Sequence, residues 1–269
     1  MKRLQLFEFE DFDWLPRDIR TGLTNLIKVL HGLVGTSEVL ADLILTIKAK
    51  VDFNQIVDLG SGSGGPLIET LEKINEDKKD SQVSLVLTDL YPNSKTVADI
   101  TALDLSNVSY YPQSLDARKL ETAPKGLKTM IASFHHMKPS IAKQILDKAE
   151  QSGEPILIYE IAKNNVPILI WWIMLPISLV ILILMSLFMT PFVRPLRVSQ
   201  LVFTYLIPLI PITYAWDGQA SLMRTYTFKD VELLLGNRKN ENYSWEINDA
   251  KKRNGKNAGY YILGYPIKN

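Results

Sequence analysis

The chain has 269 residues, with 30 basic and 29 acidic side chains for a formal net charge of +1. That length holds one large α/β domain, or a domain with an appendage, and so even a charge balance sets up no global field for nucleic acid. The absence of cysteine excludes disulfides, thiolate zinc sites and cysteine nucleophiles; with only three histidines, two of them adjacent, no metal is expected.

The first ten residues carry acidic side chains where a signal peptide needs an apolar core, so no cleaved leader is expected. Asp13-Trp14-Leu15-Pro16-Arg17-Asp18-Ile19-Arg20 then sets a tryptophan before a proline-initiated helix, with Arg20 one turn in. Leu23, Leu26, Ile27 and Leu30, followed by Val39, Leu40, Leu43 and Ile47, repeat at helical spacing and predict helix over most of residues 16–50. Gln55 to Leu59 reads as a short buried strand running into Gly60-Ser61-Gly62-Ser63-Gly64-Gly65, with a helix starting near Pro66. Glycines at alternate positions permit positive φ and close approach of a ligand to the main chain, and the helix behind them presents unpaired N–H groups. Gly60, Gly62 and Gly65 satisfy the dinucleotide pattern G-x-G-x-x-G, which is not specific by itself. Asp58, Gly60, Gly62 and Gly64 satisfy a second pattern, D-x-G-x-G-x-G.

Further strands are predicted near 83–88, 108–111, 128–133 and 155–160, with amphipathic helices over 67–75 and 140–150 between them. This alternation argues for an open, mostly parallel sheet, whose ligands bind beyond the carboxyl ends of the strands. Asp89 closes the second strand, where an acidic side chain can accept two hydrogen bonds from ribose hydroxyls. His135 and His136 follow the fourth strand and Glu160 ends the fifth. An imidazole there titrates in the range a general base needs, or else one ring packs and the other bonds the loop. Glu160 either orients an acceptor or caps the strand and pairs with Lys163.

The residues from Val166 to Met189 contain no charge; as helix they would span roughly 36 Å at about 1.5 Å per residue, enough for a bilayer core. A second apolar run, 198–216, follows a connector carrying Arg194 and Arg197, and its Pro208 and Pro211 would distort a helix. Because sheet-forming segments lie on both sides, the chain must leave and return on one side of any membrane. Two full spans would put the arginines opposite the catalytic domain, against the positive-inside tendency if that domain is cytoplasmic. A proline-bent hairpin in the near leaflet is therefore expected, with a buried apolar lid or an oligomer interface as alternatives. Trp216-Asp217-Gly218-x-x-Ser221-x-x-Arg224-x-Tyr226 follows, and a buried Asp217–Arg224 pair there would anchor the hairpin or line an acceptor pocket. Thr227 is a candidate N-cap for a helix over 228–235, and 243–248 and 258–265 read as a closing antiparallel strand pair. No internal repeat is evident.

Asp58-x-Gly60-x-Gly62-x-Gly64 resembles motif I of the class I S-adenosylmethionine-dependent methyltransferases. Asp89 after the second strand, Ser114-Leu115-Asp116-Ala117, and Met130-Ile131-Ala132-Ser133-Phe134-His135-His136-Met137 resemble the later segments of the same family in the same order. The resemblance covers roughly residues 50–165, and the run from Trp216 with the apolar pair before it is similar to a bacterial branch of the family. It implies a seven-stranded Rossmann-like sheet, mostly parallel with an antiparallel C-terminal pair, plus an inserted apolar α-helical hairpin. The domains expected are lid helices over 1–50, the cofactor-binding core over 51–165, the membrane-associated hairpin over 166–216, and completion of the sheet over 217–269. S-adenosylmethionine is the expected cofactor, held by Asp58, Gly60, Ser61, Gly62, Gly64, Asp89, Leu90, Asp116, Ala117 and Ser133, with Asp116 at the adenine amine. His135, His136 and Glu160 are the catalytic candidates. Trp14, Arg20, Trp216, Asp217 and Arg224 are candidates for substrate binding, with a hydrophobic staple and a solvated charge as the alternative for Trp14 and Arg20. The implied activity is methylation of a lipophilic small molecule or lipid-linked acceptor at a membrane surface, by a membrane-associated protein with a cytoplasmic catalytic domain. An NAD-linked oxidoreductase and a non-catalytic membrane adaptor on the same fold are the alternatives.

Overall fold

The computed structural model describes residues 1–76, 82–236 and 240–267. The chain divides into two compact units: an α/β unit of Met1, Gly35–Ala162 and Phe228–Asn269, and a helical unit of Lys2–Val34 and Lys163–Thr227.

In the α/β unit, α2 (Thr36–Lys48) leads to β1 (Gln55–Leu59), α3 (Leu67–Asn75), β2 (Ser84–Thr88), α4 (Ser94–Thr101), β3 (Val108–Tyr110) and β4 (Leu127–Ile131). There follow α5 (Pro139–Ser152) and β5 (Ile156–Glu160), then, beyond the helical unit, α9 (Phe228–Leu235), β6 (Tyr243–Lys251) and β7 (Asn257–Pro266). The seven strands form one sheet in the order β3-β2-β1-β4-β5-β7-β6. β1 to β5 pair in parallel, and β7 runs antiparallel to both β5 and β6. The order reverses between β1 and β4, which opens a crevice at their carboxyl ends.

Burial explains why these segments became strands. Ile56 to Leu59 and all of Ile156–Glu160 are buried, as expected for parallel strands covered by helices on both faces. Leu40, Ile44 and Ile47 of α2 and Leu67, Leu71 and Ile74 of α3 cover one face, against Ile56, Leu85, Leu127, Leu157 and Leu263. Gly259 lets β7 close on β5, for a Cβ there would lie 2.1 Å from the Glu160 carbonyl oxygen. Its φ of +103° adds a second reason for glycine.

The helical unit contains α1 (Arg17–Val34), α6 (Ile168–Met189), α7 (Val198–Leu201) and α8 (Leu209–Arg224). α6 is the uncharged helix expected from the sequence and continues through Pro176. Together with the following turn it is long and apolar enough to cross a membrane. Pro208 interrupts the return leg as anticipated: a π-helical turn, Val202–Leu206, precedes it, and α8 leaves at 79° to the segment before. Pro211 costs little because it lies in the first turn of α8, where its missing N–H has no intrahelical partner. Leu15, Ile19, Leu23 and Leu26 pack with Met189, Val193, Ile210 and Tyr214 at one end of this unit. Trp171, Leu175 and Met223 form a smaller cluster at the other, against Leu4 and Leu6. The helix pair expected over residues 16–50 thus divides between the units, and residues 217–224 continue α8.

Candidate functional site

The glycine loop leaves β1 with positive φ at Gly60, Gly62, Gly64 and Gly65. Gly60 and Gly62 are exposed. Gly64 turns inward, where a Cβ would come within 3.2 Å of Leu87 Cδ1, so it serves close packing of loop on strand. Ser61 fastens the loop to the sheet: its hydroxyl donates to the Asp58 carbonyl at 3.0 Å and accepts the Thr88 N–H at 3.1 Å. Asp58 itself is buried and lies beneath the loop, its Oδ1 accepting the Thr129 hydroxyl at 2.6 Å. Burial pushes this carboxyl up to about 7, against the pull of the Thr129 and Ser61 hydrogen bonds.

Asp89 stands at the carboxyl end of β2. Its Oδ2 accepts the Gly62 N–H at 2.9 Å and its Oδ1 the Tyr91 N–H at 2.8 Å, so the carboxylate is locked beside the exposed part of the loop. A carboxylate has about four lone-pair sites, so two remain for ligand hydroxyls. Tyr110 at the end of β3 donates from its hydroxyl to the Gly62 carbonyl at 3.0 Å. The segment after β3 is joined to this corner by the Leu115 N–H, which donates to the Asp89 carbonyl at 2.9 Å, and by Ser114, which donates to the Leu90 carbonyl at 2.6 Å. Asp116 follows, with Ala117 beside it, but Arg118 holds both carboxylate oxygens at 2.5–3.0 Å. Those hydrogen bonds keep the Asp116 carboxyl below its usual range. An amine reaching Asp116 must share it with Arg118.

On the other side of β1, β4 is followed by Ala132 with φ of +50°, a left-handed conformation that costs an alanine energy. The turn aims Ser133 at the glycine loop: its Oγ is 3.9 Å from where a Gly60 Cβ would sit, buried and without a hydrogen-bond partner. Two residues on, Glu160 accepts the His135 backbone N–H with Oε1 and faces His135 Nδ1 with Oε2, both at 2.9 Å, and both side chains are buried. A carboxylate facing Nδ1 fixes the ring's orientation and favours the tautomer with its proton there. His136 packs against the His135 ring with centroids 4.3 Å apart.

The five remaining candidates lie in the helical unit and serve its N-terminal segment. Arg20 donates to the carbonyls of Glu10 and Phe12, the latter at 2.7 Å. Trp216 Nε1 donates to the Phe7 carbonyl at 3.0 Å, and Trp14, largely exposed, stacks on Phe12. The Asp217–Arg224 pair expected from the sequence does not form. Asp217 instead accepts the Phe9 and Glu10 N–H groups at 2.7 and 3.3 Å, and Arg224 pairs with Glu8 at 3.0 Å and Asp11 at 2.6 Å. Seven residues apart on α8, the two side chains reach different parts of one N-terminal turn, Phe9–Asp11. Burial raises Asp217 to about 7, and burial with the nearby Asp217 and Glu8 raises Glu10 to about 7.

Tyr110, Thr88 and Thr129 were missed by sequence reasoning. Thr129 left a trace: it is a polar residue inside a buried strand, in register with Asp58 on the neighbouring strand. Tyr110 left none, because its role depends on where β3 ends relative to the loop.

No protein-family model matches this sequence, and no curated protein does. Among solved structures, the chain is similar to the plantazolicin methyltransferase BpumL in complex with S-adenosylhomocysteine, at 12% identity and a TM-score of 0.52, covering 97% of this chain and 93% of that one. A second BpumL structure, with a triazolic desmethylPZN analog and S-adenosylhomocysteine, gives 14% identity and a TM-score of 0.53, covering 96% and 92%. The fold is therefore that of the class I S-adenosylmethionine-dependent methyltransferases. The likeness extends over both units.

Proposed function

We propose that this protein is an S-adenosylmethionine-dependent methyltransferase acting on a lipophilic small molecule or a lipid-linked acceptor at a membrane surface. The observation that carries the reading is the corner formed by Gly60, Gly62, the locked Asp89 carboxylate and the orphaned Ser133 hydroxyl. A buried hydroxyl without a partner costs about 1–3 kcal/mol, and turning toward a polar ligand over the loop would satisfy it. Exposed glycine backbone and the N-terminus of α3 suit the polar end of the cofactor, and Asp89 suits its ribose hydroxyls. Asp58 supports the loop from below rather than touching the ligand. Bound there, S-adenosylmethionine supplies an electrophilic methyl group.

The protein's own part is alignment and proton removal. An acceptor hydroxyl or ammonium would lose its proton to His135 Nε2. Glu160 holds the ring in the required tautomer and stabilises the imidazolium that results. The proton leaves His135 to water on product release. A lipophilic acceptor is supported by the helical unit, whose α6 exposes Leu169, Ile173, Ile177 and Phe188. The test is transfer of radiolabelled methyl from S-adenosylmethionine into an organic-soluble fraction of a cell extract by the purified chain. Label that stays with the donor while NADH binds the protein would replace this reading with the oxidoreductase.

A further inference from the structure

We propose that the helical unit seats on a single anionic leaflet through the exposed face of α6 and the turn after it, and that the chain does not cross the bilayer. This rests on the membrane reading above and adds how the membrane is met. At about 1.5 Å per residue, the 22-residue α6 is about 33 Å long, so length alone would allow it to cross. Its two faces differ, however. Leu169, Ile173, Ile177 and Ile181 recur every fourth residue and are 69%, 66%, 54% and 57% exposed, with Phe188 continuing the stripe at 76%. The opposite face is fastened to α8: Trp171, Leu175 and Met189 are buried, and Trp171 Nε1 donates to Gln219 Oε1 at 2.9 Å.

That fastening decides the topology. The half of α8 beside Trp171 and Leu175 carries Asp217 and Arg224, which hold Glu8, Asp11 and the turn around Phe9. Pushing α6 across a bilayer would draw this charged assembly to hydrocarbon depth, where each charge is expensive. The return leg gives no second span either, because it breaks by 79° before Leu209. A helix lying flat exposes only its free stripe to lipid and leaves the polar assembly in water.

The occupant is also indicated by charge. Between Lys163 and Trp216 there is no acidic residue, while the turn after α6 carries exposed Arg194 and Arg197. Exposed Phe192 and Val198 flank them, and Leu206 lies beyond, 76% exposed. Arginines flanked by apolar side chains place their stems in the acyl region and their guanidiniums among anionic headgroups.

With no native cysteine, single-cysteine labelling is clean. Full-length protein carrying Val198→Cys or, as a control in the α/β unit, Gln151→Cys is labelled with a nitrobenzoxadiazole dye and added to sealed vesicles of equal parts phosphatidylcholine and phosphatidylglycerol. The dye at 198 should brighten on binding, and membrane-impermeant dithionite added outside should bleach both positions. Bleaching of position 198 only after detergent opens the vesicles would mean that the turn has crossed, and would overturn the proposal. The double variant Arg194→Gln, Arg197→Gln should bind these vesicles about tenfold more weakly or worse. Equal binding of the unsubstituted chain to pure phosphatidylcholine would overturn the anionic assignment. Absence from every vesicle pellet, with a dimer in light scattering, would overturn the lipid occupant and the membrane reading together. Methyl transfer by the same sample then reports separately on the enzyme.

Discussion

In the proposed site, Asp89 is the residue on which cofactor binding should most depend, because its two oxygens are already positioned by the Gly62 and Tyr91 N–H groups. Asp89→Ala should weaken S-adenosylmethionine binding at least tenfold by calorimetry while lowering the melting temperature by only several degrees, since the two hydrogen bonds lost at an exposed edge are worth about 1 kcal/mol each. A different split is expected at the base. His135→Asn and Glu160→Gln should keep cofactor affinity within a few-fold and lower kcat about 10²–10⁴-fold, the range general-base catalysis contributes. If acceptor turnover survives both substitutions, the dyad is structural. The patterns at Asp58, Gly60, Gly62 and Asp89 were legible in the sequence because the turn and the carboxylates are local to strand ends. Ser133's missing partner and Ala132's positive φ were not, since both depend on how the turn after β4 meets a loop some seventy positions earlier.

Among the elements, the strands were the most legible: β1, β2 and β5 are short, mainly apolar runs that a parallel sheet buries on both faces. The uncharged stretch that became α6 was equally plain. Legibility failed where an element's partner lies far along the chain. Asp217 and Arg224 look like a pair within one helix, but they bind a turn more than two hundred residues away. Asp217→Ala removes the acceptor for two backbone N–H groups and should lower stability by about 1–3 kcal/mol. Chemical denaturation measures it, and a change under about 0.5 kcal/mol would mean that water replaces the carboxylate without loss.

For the molecule as a whole, pH should reveal the same buried carboxyls. Asp58, Glu10 and Asp217 are raised from ordinary values near 4 to about 7, so the folded state binds their protons more tightly than the unfolded chain. Their contribution to stability is therefore full below about pH 4 and is lost as pH rises through about 7. His31 works the other way: burial lowers it to about 4, so stability falls as pH drops below its unfolded value of 6.5. Three raised carboxyls outweigh one lowered imidazole, so together these groups predict a melting temperature that declines from about pH 5 to about pH 8 and levels off above. A melting temperature that rises across that interval would show that these carboxyls are hydrated in the folded protein.

The central claim is that the corner between the glycine loop, Asp89 and Ser133 receives S-adenosylmethionine. Calorimetric titration of the full-length protein in mild detergent, with S-adenosylmethionine and with NADH in turn, tests it most directly. The account predicts saturable binding of S-adenosylmethionine, its loss in Asp89→Ala, and no heat from NADH. Saturable NADH binding with none for S-adenosylmethionine would contradict it.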